Sequence, residues 1–249
     1  METTKKTKEM DMLNGGLAGK LILFSIPLAF SSILQQLFNS ADVAVVGRFA
    51  GDRALAAVGS CVALVGIFVN LIVGFSVGPN AVLANLIGQK RRDKINRMLH
   101  TIMAFGLIAG VILMGLGMLS AKPILEVSGT PESVMNEALL YIRIYFIGIP
   151  FMMIYNFGSA VLRSFGDTRR PMYYLILSGT VNVILNLILV IYFKLGVAGV
   201  AIATVISNIL SAGLVLIYLY RREDEFQFRP QRLHIEKEDL KKVLVIGGG

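Results

Sequence analysis

Asp42 stands out among the sixteen acidic residues of this chain because it lies inside a long apolar run. A charged side chain in the hydrocarbon region of a bilayer costs roughly 2.5 to 3.5 kcal/mol on insertion scales, so an acid kept there usually faces a bundle interior and has a function. A poorly solvated carboxylate takes up a proton more readily than one in water. Asp42 therefore indicates binding and release of a cation.

Two further polar side chains share a helical face with this acid. Gln35, Asn39 and Asp42 are spaced i, i+4 and i+7, which places them on one stripe of a helix. One alternative is that the hydrocarbon run ends before Asp42 and leaves it as an ordinary polar residue at the outer interface. The apolar residues 43–46 that follow argue against this alternative, but spacing alone leaves both interpretations open.

Paired polar residues also occur in two later apolar runs. Asn182 and Asn186 are four residues apart, and Thr204 and Asn208 repeat that spacing. Such pairs often serve only as hydrogen-bond partners between membrane helices, each worth about 0.6 kcal/mol on average. Their alternative role is to hold the carboxylate, or a partly dehydrated Na⁺, through oxygen atoms.

These residues must be positioned by membrane-spanning helices. The chain is 55% hydrophobic and 16% charged, which is outside the range of ordinary soluble domains. Six stretches reach the about 20 residues that a helix needs to cross a bilayer, and the alternating segments of a β-barrel are absent from the sequence. The sequence predicts an all-α integral membrane protein with six spans: Leu17–Gly47, Leu55–Ile87, Met98–Leu119, Leu139–Leu162, Met172–Phe193 and Val197–Tyr220.

Basic residues are concentrated in alternate connections. Nineteen of the 24 Lys and Arg residues fall in the N-terminal residues up to Lys20, the 89–97 loop, the 163–170 loop and the 221–242 segment. The positive-inside rule places all four in the cytoplasm, so we expect a multi-pass protein of the cell membrane with a cytoplasmic N-terminus. The net charge of +8 is then explained by anionic lipid at the bilayer surface, and no nucleic-acid partner is expected.

The chain divides into four parts on this pattern. Residues 1–16 form a cytoplasmic tail, and residues 17–220 form the six-helix region. Residues 221–242 are charged and contain Pro230, which predicts a solvated cytoplasmic linker. The sequence becomes apolar again at residues 243–249, which we interpret as the start of a seventh helix that is cut short.

Several other residues are candidate structural or functional sites. Pro27 and Pro150 lie inside predicted spans and are expected to bend or flex them. The sole cysteine, Cys61, excludes an internal disulfide. His100 and His234 lie in unrelated contexts, so no metal site is expected beyond a Na⁺ at Asp42, and no cofactor is expected.

The segment from Gly74 to Gly78 matches the G-x-S-x-G pattern of a hydrolase nucleophile elbow. That elbow requires a strand-to-helix turn, whereas this segment lies in an apolar helix. A packing face of small residues in GxxxG spacing is the preferred interpretation. We therefore predict that the protein is not an enzyme.

Two motifs carry a resemblance to a known family. The run from Pro27 through Gln35, Gln36, Leu37, Phe38, Asn39, Asp42, Val46 and Gly47 to the ALAAVG of residues 54–59 resembles the first-helix signature of the multidrug and toxic compound extrusion (MATE) family. The RSFGDTRRPM of residues 163–172 is similar to the motif after that family's fourth helix, and residues 74–94 also fit.

The resemblance implies a twelve-helix antiporter of two six-helix lobes, of which this chain supplies the first. Such transporters export amphipathic, often cationic drugs against entering H⁺ or Na⁺. Asp42 matches the first-helix acid implicated in cation coupling, and Asn182 and Thr204 match its polar partners. Asn186 stands where some members carry an aspartate. The partner would be the missing C-terminal lobe or a second copy of this chain.

The residues support the same mechanism independently. Protonation of a carboxylate in the bundle could bend the first helix near Pro27, and rocking of one lobe against the other would alternate access. One alternative is a lipid-linked oligosaccharide flippase of related architecture, although its pyrophosphate substrate would demand basic residues in the spans. Another is a non-transporting membrane subunit or scaffold, since half a transporter cannot enclose a two-lobed cavity.

Overall fold

The computed structural model describes residues 17–236, 238–241 and 243. Within these ranges the chain is helical up to residue 220, with connections of a few residues; residues 221–236 are mostly irregular with one 3₁₀ turn (Pro230–Arg232), and no strand is present. The predicted tail at residues 1–16, and all but residue 243 of the predicted seventh helix, lie outside the described residues. The helices are α1 (Leu17–Phe49), α2 (Asp52–Phe75), α3 (Val77–Gly88), α4 (Arg92–Val127), α5 (Glu132–Ile147), α6 (Ile149–Ser164), α7 (Arg169–Leu187), extended by a π-helical turn (Ile188–Tyr192), and α8 (Gly196–Tyr220).

Helices are the expected solution because the bilayer core offers no water to satisfy exposed backbone groups. Four described segments are long and apolar enough to cross a membrane, and α5 with α6 passes the same test as one broken span. α1 is not among these segments, although its 33 residues would span about 50 Å at 1.5 Å per residue. The four segments are Asp52–Gly88, Asp93–Val127, Arg169–Tyr192 and Gly196–Tyr220.

The outer surface of α4 shows how such a span meets lipid. One face of the helix exposes large apolar side chains spaced three or four residues apart, and several of them are about half exposed. A contiguous exposed apolar surface of this kind fits hydrocarbon rather than water. The opposite face is buried against the other helices. The exposed residues are Leu107, Ile108, Val111, Ile112 and Leu116.

The fourth predicted span is broken rather than straight. α5 and α6 meet at Gly148 with a bend of 42°. Pro150 lies in the first turn of α6, where its missing N–H removes no hydrogen bond from the helix. Pro27, in contrast, lies inside α1, which continues through it as one helix. A bend at Pro27 stays a prediction.

The second predicted span contains a junction that the sequence did not reveal. Ser76 joins α2 to α3, and its hydroxyl donates a hydrogen bond to the carbonyl of Val73 at 2.7 Å. The nucleophile-elbow pattern thus lies between two helices, not after a strand. The expected GxxxG packing face is wrong at Gly74, because a Cβ atom there would meet nothing within 4 Å.

Three of the four basic segments lie together at one end of the bundle. The Arg97 guanidinium at the start of α4 pairs with Asp239 at 2.9 Å. The Arg222 guanidinium lies 4.4 Å from the centre of the Phe165 ring, which joins the segment after α8 to the loop after α6. The charge pattern therefore corresponds to one physical end of the molecule.

Composition predicts a solvated linker after α8. Residues 229–236 are exposed, as in such a linker, but two side chains before them pack against the bundle. Phe226 and Phe228 are each only 6% exposed, and the backbone N–H of Phe228 donates to the carbonyl of Leu219 at 3.0 Å. Composition did not reveal this packing, because two aromatic side chains among many charged residues are enough to bury one side of the segment. His100 and His234 are also not in unrelated contexts, since their rings stack with centres 6.3 Å apart.

We predict that Gly110→Ala destabilises the bundle while Gly115→Ala does not. A Cβ atom at Gly110 would lie 2.7 Å from the Cα atom of Pro150, a backbone atom that cannot move aside cheaply. Overpacking of this kind costs about 1 to 3 kcal/mol, more than the about 1 kcal/mol of helix propensity that alanine gains. Thermal unfolding followed by circular dichroism in detergent measures the effect.

Gly115 is the matched control because it lies in the same helix and a Cβ atom there meets nothing within 4 Å. Its substitution should leave the unfolding temperature unchanged or slightly higher. Equal unfolding temperatures for both variants would contradict close packing of α4 against the α5–α6 break.

Candidate functional site

Asp42 lies where α1 meets α7 and α8, and it is only 9% exposed. The Asn186 side-chain amide of α7 donates a hydrogen bond to its Oδ1 at 2.5 Å. The Thr204 hydroxyl of α8 approaches its Oδ2 at 3.4 Å, which is long for an O–H···O bond. Asp42 is therefore buried between helices, whereas its depth in the bilayer stays a prediction.

Thr204 has one hydroxyl proton and two acceptors within reach. The carbonyl of Val200, one turn earlier in α8, is 3.0 Å from its Oγ1 and is closer than the carboxylate of Asp42. The Asn182 amide in turn approaches Thr204 Oγ1 at 3.4 Å. Because a threonine has a single donor, its proton cannot serve both acceptors at once. Thr204 can thus change partner when the charge of Asp42 changes.

Asn186 links the carboxylate to the rest of this network. Its amide nitrogen has two protons, and it contacts Asp42 Oδ1 and, at 3.3 Å, Asn182 Oδ1. Its own Oδ1 is buried and accepts no hydrogen bond from the described residues. A buried amide oxygen beside a carboxylate is a suitable ligand for a cation, since Na⁺ is held by oxygen atoms.

A small cavity of about 100 Å³ opens on one side of Asp42. Since a water molecule needs roughly 10 to 15 Å³ by this measure, the space holds a few waters or a hydrated ion. Polar side chains from α1, α6, α7 and α8 line most of it. They are Gln35, Asn39, Asp42, Asn156, Ser178, Asn182, Thr204, Ser207, Asn208 and Ser211.

A larger cavity of about 460 Å³ lies between α1, α2 and α5. Its volume is within the roughly 300 to 1,000 Å³ of small-molecule sites. The aromatic rings of Tyr141 and Tyr145 and the apolar side chains of Val62 and Val65 contribute to its wall. Neither cavity has a Lys or Arg among its described lining residues. Five residues border both cavities: Asn39, Asp42, Val69, Tyr145 and Thr204.

The structure brings most of the predicted site residues to one place. Asn186 contacts Asp42 without lining either cavity, whereas Pro27 and Pro150 lie away from both. The roles proposed for these residues stay predictions. The small cavity gathers Gln35, Asn39, Asp42, Asn182, Thr204 and Asn208.

Sequence reasoning missed several residues of the site. Ser178 lies one turn before Asn182 in α7, and Ser211 extends the Thr204–Asn208 stripe of α8 by another turn. The sequence contained a signal for each, because Ser178 is four residues before Asn182 and Ser211 is three residues after Asn208. Tyr141 and Tyr145 are also spaced i, i+4, but nothing in the sequence indicated that α5 would face Asp42.

A close contact between Phe38 and Gly179 sets the distance between α1 and α7. The Phe38 ring occupies the space that a side chain at Gly179 would need. Phe38 is one turn before Asp42, and Gly179 is two turns before Asn186. The absence of a side chain at Gly179 therefore allows α1 to approach α7 closely enough for the carboxylate and the amide to meet.

The model of the MatE family matches residues 27–188 of this chain, which is more than half of it. The chain belongs to the MatE family. Probable multidrug resistance protein YoeA of Bacillus subtilis is 33% identical over 232 residues, covering 90% of this MatE chain and 50% of that protein. Probable multidrug resistance protein NorM of Thermotoga maritima is 28% identical, covering 92% and 50%. The chain thus spans about half the length of the curated relatives it matches.

Solved MATE structures share the fold. The crystal structure of a MATE protein in the bent conformation gives a TM-score of 0.88 at 26% identity, covering 98% of this chain and 54% of that chain. An outward-facing multidrug resistance MATE family transporter gives 0.86 at 26% identity, covering 98% and 54%. The predicted family and the predicted all-helical, half-length lobe are confirmed, and the chain is a multi-pass membrane protein of a transporter family.

We predict that Gly179→Ala destabilises this MatE chain by about 1 to 3 kcal/mol, because the new methyl group collides with the Phe38 ring and pushes α1 from α7. In a Phe38→Ala background the same substitution should cost little, since the ring is gone. Unfolding of the two single variants and the double variant forms a double-mutant cycle. Additive effects would show that the two residues are not in contact.

Proposed function

We propose that this chain forms the N-terminal lobe of a cation-coupled antiporter that exports amphipathic, often cationic compounds by alternating access. The observation that carries the proposal is that Asp42 borders both the ion-sized and the larger cavity. A single carboxylate in that position can be occupied by a coupling ion or by a cationic substrate, but not by both. The names of the relatives as multidrug resistance proteins support the same activity.

The coupling ion in this proposal is H⁺ or Na⁺, held at Asp42. For Na⁺, oxygen ligands are available from the carboxylate, the Thr204 hydroxyl and the unpartnered Oδ1 of Asn186. For H⁺, protonation at Oδ2 would turn that oxygen into a donor to Thr204 Oγ1, so that Thr204 would donate only to the carbonyl of Val200, while Oδ1 would still accept from Asn186. Either ion changes the contacts between α1 and its neighbours, and a bend of α1 near Pro27 would pass that change along the helix.

The chemistry of the larger cavity favours an amphipathic cation. Valine side chains offer apolar contact, and the rings of Tyr141 and Tyr145 offer a surface for cation–π attraction. Asp42 supplies the negative charge. The second lobe, or a second copy of this chain, would close the remaining side, and two lobes rocking about the site would alternate its access.

The flippase alternative receives no support from the described site. A lipid-linked pyrophosphate carries several negative charges and would need Lys or Arg side chains in the cavity. Neither cavity has a Lys or Arg among its described lining residues. The one carboxylate among those described residues, Asp42, would repel a phosphate.

We predict that Asp42→Asn abolishes ion-driven drug export without reducing the amount of protein in the membrane. Asparagine has a similar shape but can neither bind a proton reversibly nor neutralise a cation. The measurement is efflux of a cationic fluorescent dye from cells that produce the full-length transporter, of which we propose this chain is one lobe.

Ser32→Ala is the matched control, since Ser32 lies on the same helix, lines neither cavity, and its hydroxyl bonds only to the carbonyl of Leu28. It should export at the wild-type rate. Imposed H⁺ and Na⁺ gradients, tested separately in membrane vesicles, identify the coupling ion. Full activity of Asp42→Asn would refute the coupling role, and no export by the wild type would favour the non-transporting scaffold.

We further propose that the basic end of the bundle faces the cytoplasm and that the protein resides in the cell membrane. The charge bias of the connections supports this orientation. Arg53 and Glu137, which pair at 3.0 Å across the starts of α2 and α5, belong to the opposite end.

Cysteine labelling tests the orientation. On a Cys61→Ala background, a membrane-impermeant thiol reagent added to intact cells should modify Ser128→Cys but not Ser164→Cys. Ser128 follows α4 at the proposed outer end, and Ser164 ends α6 at the basic end. Labelling of Ser164→Cys alone would reverse the assigned topology.

A further inference from the structure

The segment after α8 is fastened across the start of α4 at several points. We call residues 225–236 the strap. The Asn96 side-chain amide donates to the carbonyls of Glu225 at 3.1 Å and Gln227 at 2.9 Å. At the far end of the strap, the backbone N–H of Glu236 donates to the hydroxyl of Thr101 at 3.3 Å. Between these two anchors, the strap crosses one buried side chain, His100.

Both ring nitrogens of His100 are engaged, and their partners fix its protonation state. Nδ1 lies 2.7 Å from the carbonyl oxygen of Asn96, which can only accept. Nε2 lies 3.0 Å from the backbone nitrogen of Arg229, whose N–H can only donate. Nδ1 must therefore carry a proton and Nε2 must carry a lone pair. Only the neutral Nδ1–H tautomer satisfies both bonds.

Protonation of this ring would break the contact with the strap. A proton on Nε2 would face the N–H of Arg229 across 3.0 Å, so two donors would oppose each other. His100 is 1% exposed, so the ring cannot turn to water while the strap covers it. A buried donor left without an acceptor destabilises the contact, because its lost hydrogen bond to water is not replaced.

Charged neighbours act in both directions and do not decide the outcome. A new positive charge on His100 would be opposed by Arg97 on the same helix and by Arg229 of the strap. Arg163, at the end of α6, which packs on α4, acts in the same direction. The ring of His234 stacks on His100. Among the acidic residues of this region, Glu225 contacts Asn96 and Glu236 contacts Thr101 through their backbones, and Asp239 pairs with Arg97. The Phe228 ring stacks on His100 with centres 5.5 Å apart.

We propose that the strap is a proton-sensitive latch, in which neutral His100 holds the middle of the strap on α4 and protonated His100 releases it. The released part is residues 229–235, because the Asn96 bonds and the Thr101 bond anchor its two sides. Every residue from 229 to 236 is already exposed on its outer face, so release needs little apolar surface to leave the core. This latch does not depend on the proposed transport activity.

Spin-label distances in lipid nanodiscs test the latch. Labels on Gln231→Cys of the strap and Gln89→Cys at the end of α3, on a Cys61→Ala background, report the position of the strap. We expect a narrow distance distribution at about pH 8 and a broadened, longer one after acidification to about pH 5. The distance distribution of His100→Gln should stay narrow at both pH values, because glutamine can donate and accept hydrogen bonds but does not titrate.

His234→Gln is the matched control because His234 is the other histidine of the strap, is exposed, and makes no hydrogen bond to α4: its Nδ1 contacts the carbonyl of Arg232, and its ring only stacks on that of His100. It should behave as the wild type does. Three outcomes would each overturn the proposal. The distance in the wild type could be independent of pH, the broadening at low pH could persist in His100→Gln, or it could be lost in His234→Gln.

A second measurement covers the case in which His100→Gln does not fold. The chain has two histidines, so ¹⁵N-histidine labelling gives two sets of ring signals, and His234→Gln assigns them. We expect His100 as the neutral Nδ1–H tautomer at about pH 8, with protonation and strap release at the same midpoint. Another tautomer, or release while His100 is still neutral, would refute the latch.

Discussion

The need to satisfy one buried carboxylate organises the membrane part of this protein. Asp42 is held among apolar helices and obtains hydrogen bonds only because α7 and α8 present Asn186 and Thr204 to it. An unpaired charge in that environment would be costly, and full pairing by a Lys or Arg would leave no capacity to bind a cation. Amide and hydroxyl partners are the intermediate solution, since they support the charge without neutralising it.

Small residues make this arrangement possible by letting helices approach closely. Gly179 admits the Phe38 ring between α1 and α7, and Gly110 admits the backbone of Pro150 at the break between α5 and α6. Association of helices in lipid depends on packing and polar contacts, because the hydrocarbon solvent provides no hydrophobic drive. The bend at Gly148 turns α6 toward the polar cavity, where Asn156 joins the lining. Close packing at the glycines and the polar lining around Asp42 therefore depend on the same helix arrangement.

The basic end of the bundle follows different rules, because water is available there. Charge pairs such as Arg97 with Asp239 combine with aromatic stacking on Phe165 and Phe228 to hold the segment after α8. The pKa of Asp224 in this region is lowered: burial opposes the charge, but the hydrogen bonds and charge of Arg222 together with backbone N–H groups outweigh it. This region is fixed by polar contacts and rings, whereas the membrane region is fixed by close packing.

The sequence by itself determined the all-helical class, the family, and the polar stripes of α1, α7 and α8, because hydrophobic run length and helical spacing are local properties. It also marked Asp42, since an acid in an apolar run is conspicuous without any structure. Only the tertiary structure decided that Tyr141 and Tyr145 reach Asp42 and that one carboxylate borders two cavities. The same holds for Phe228 and His100, which are 128 residues apart and meet through folding. Such contacts depend on which faces of distant helices come together, and no local pattern encodes that choice.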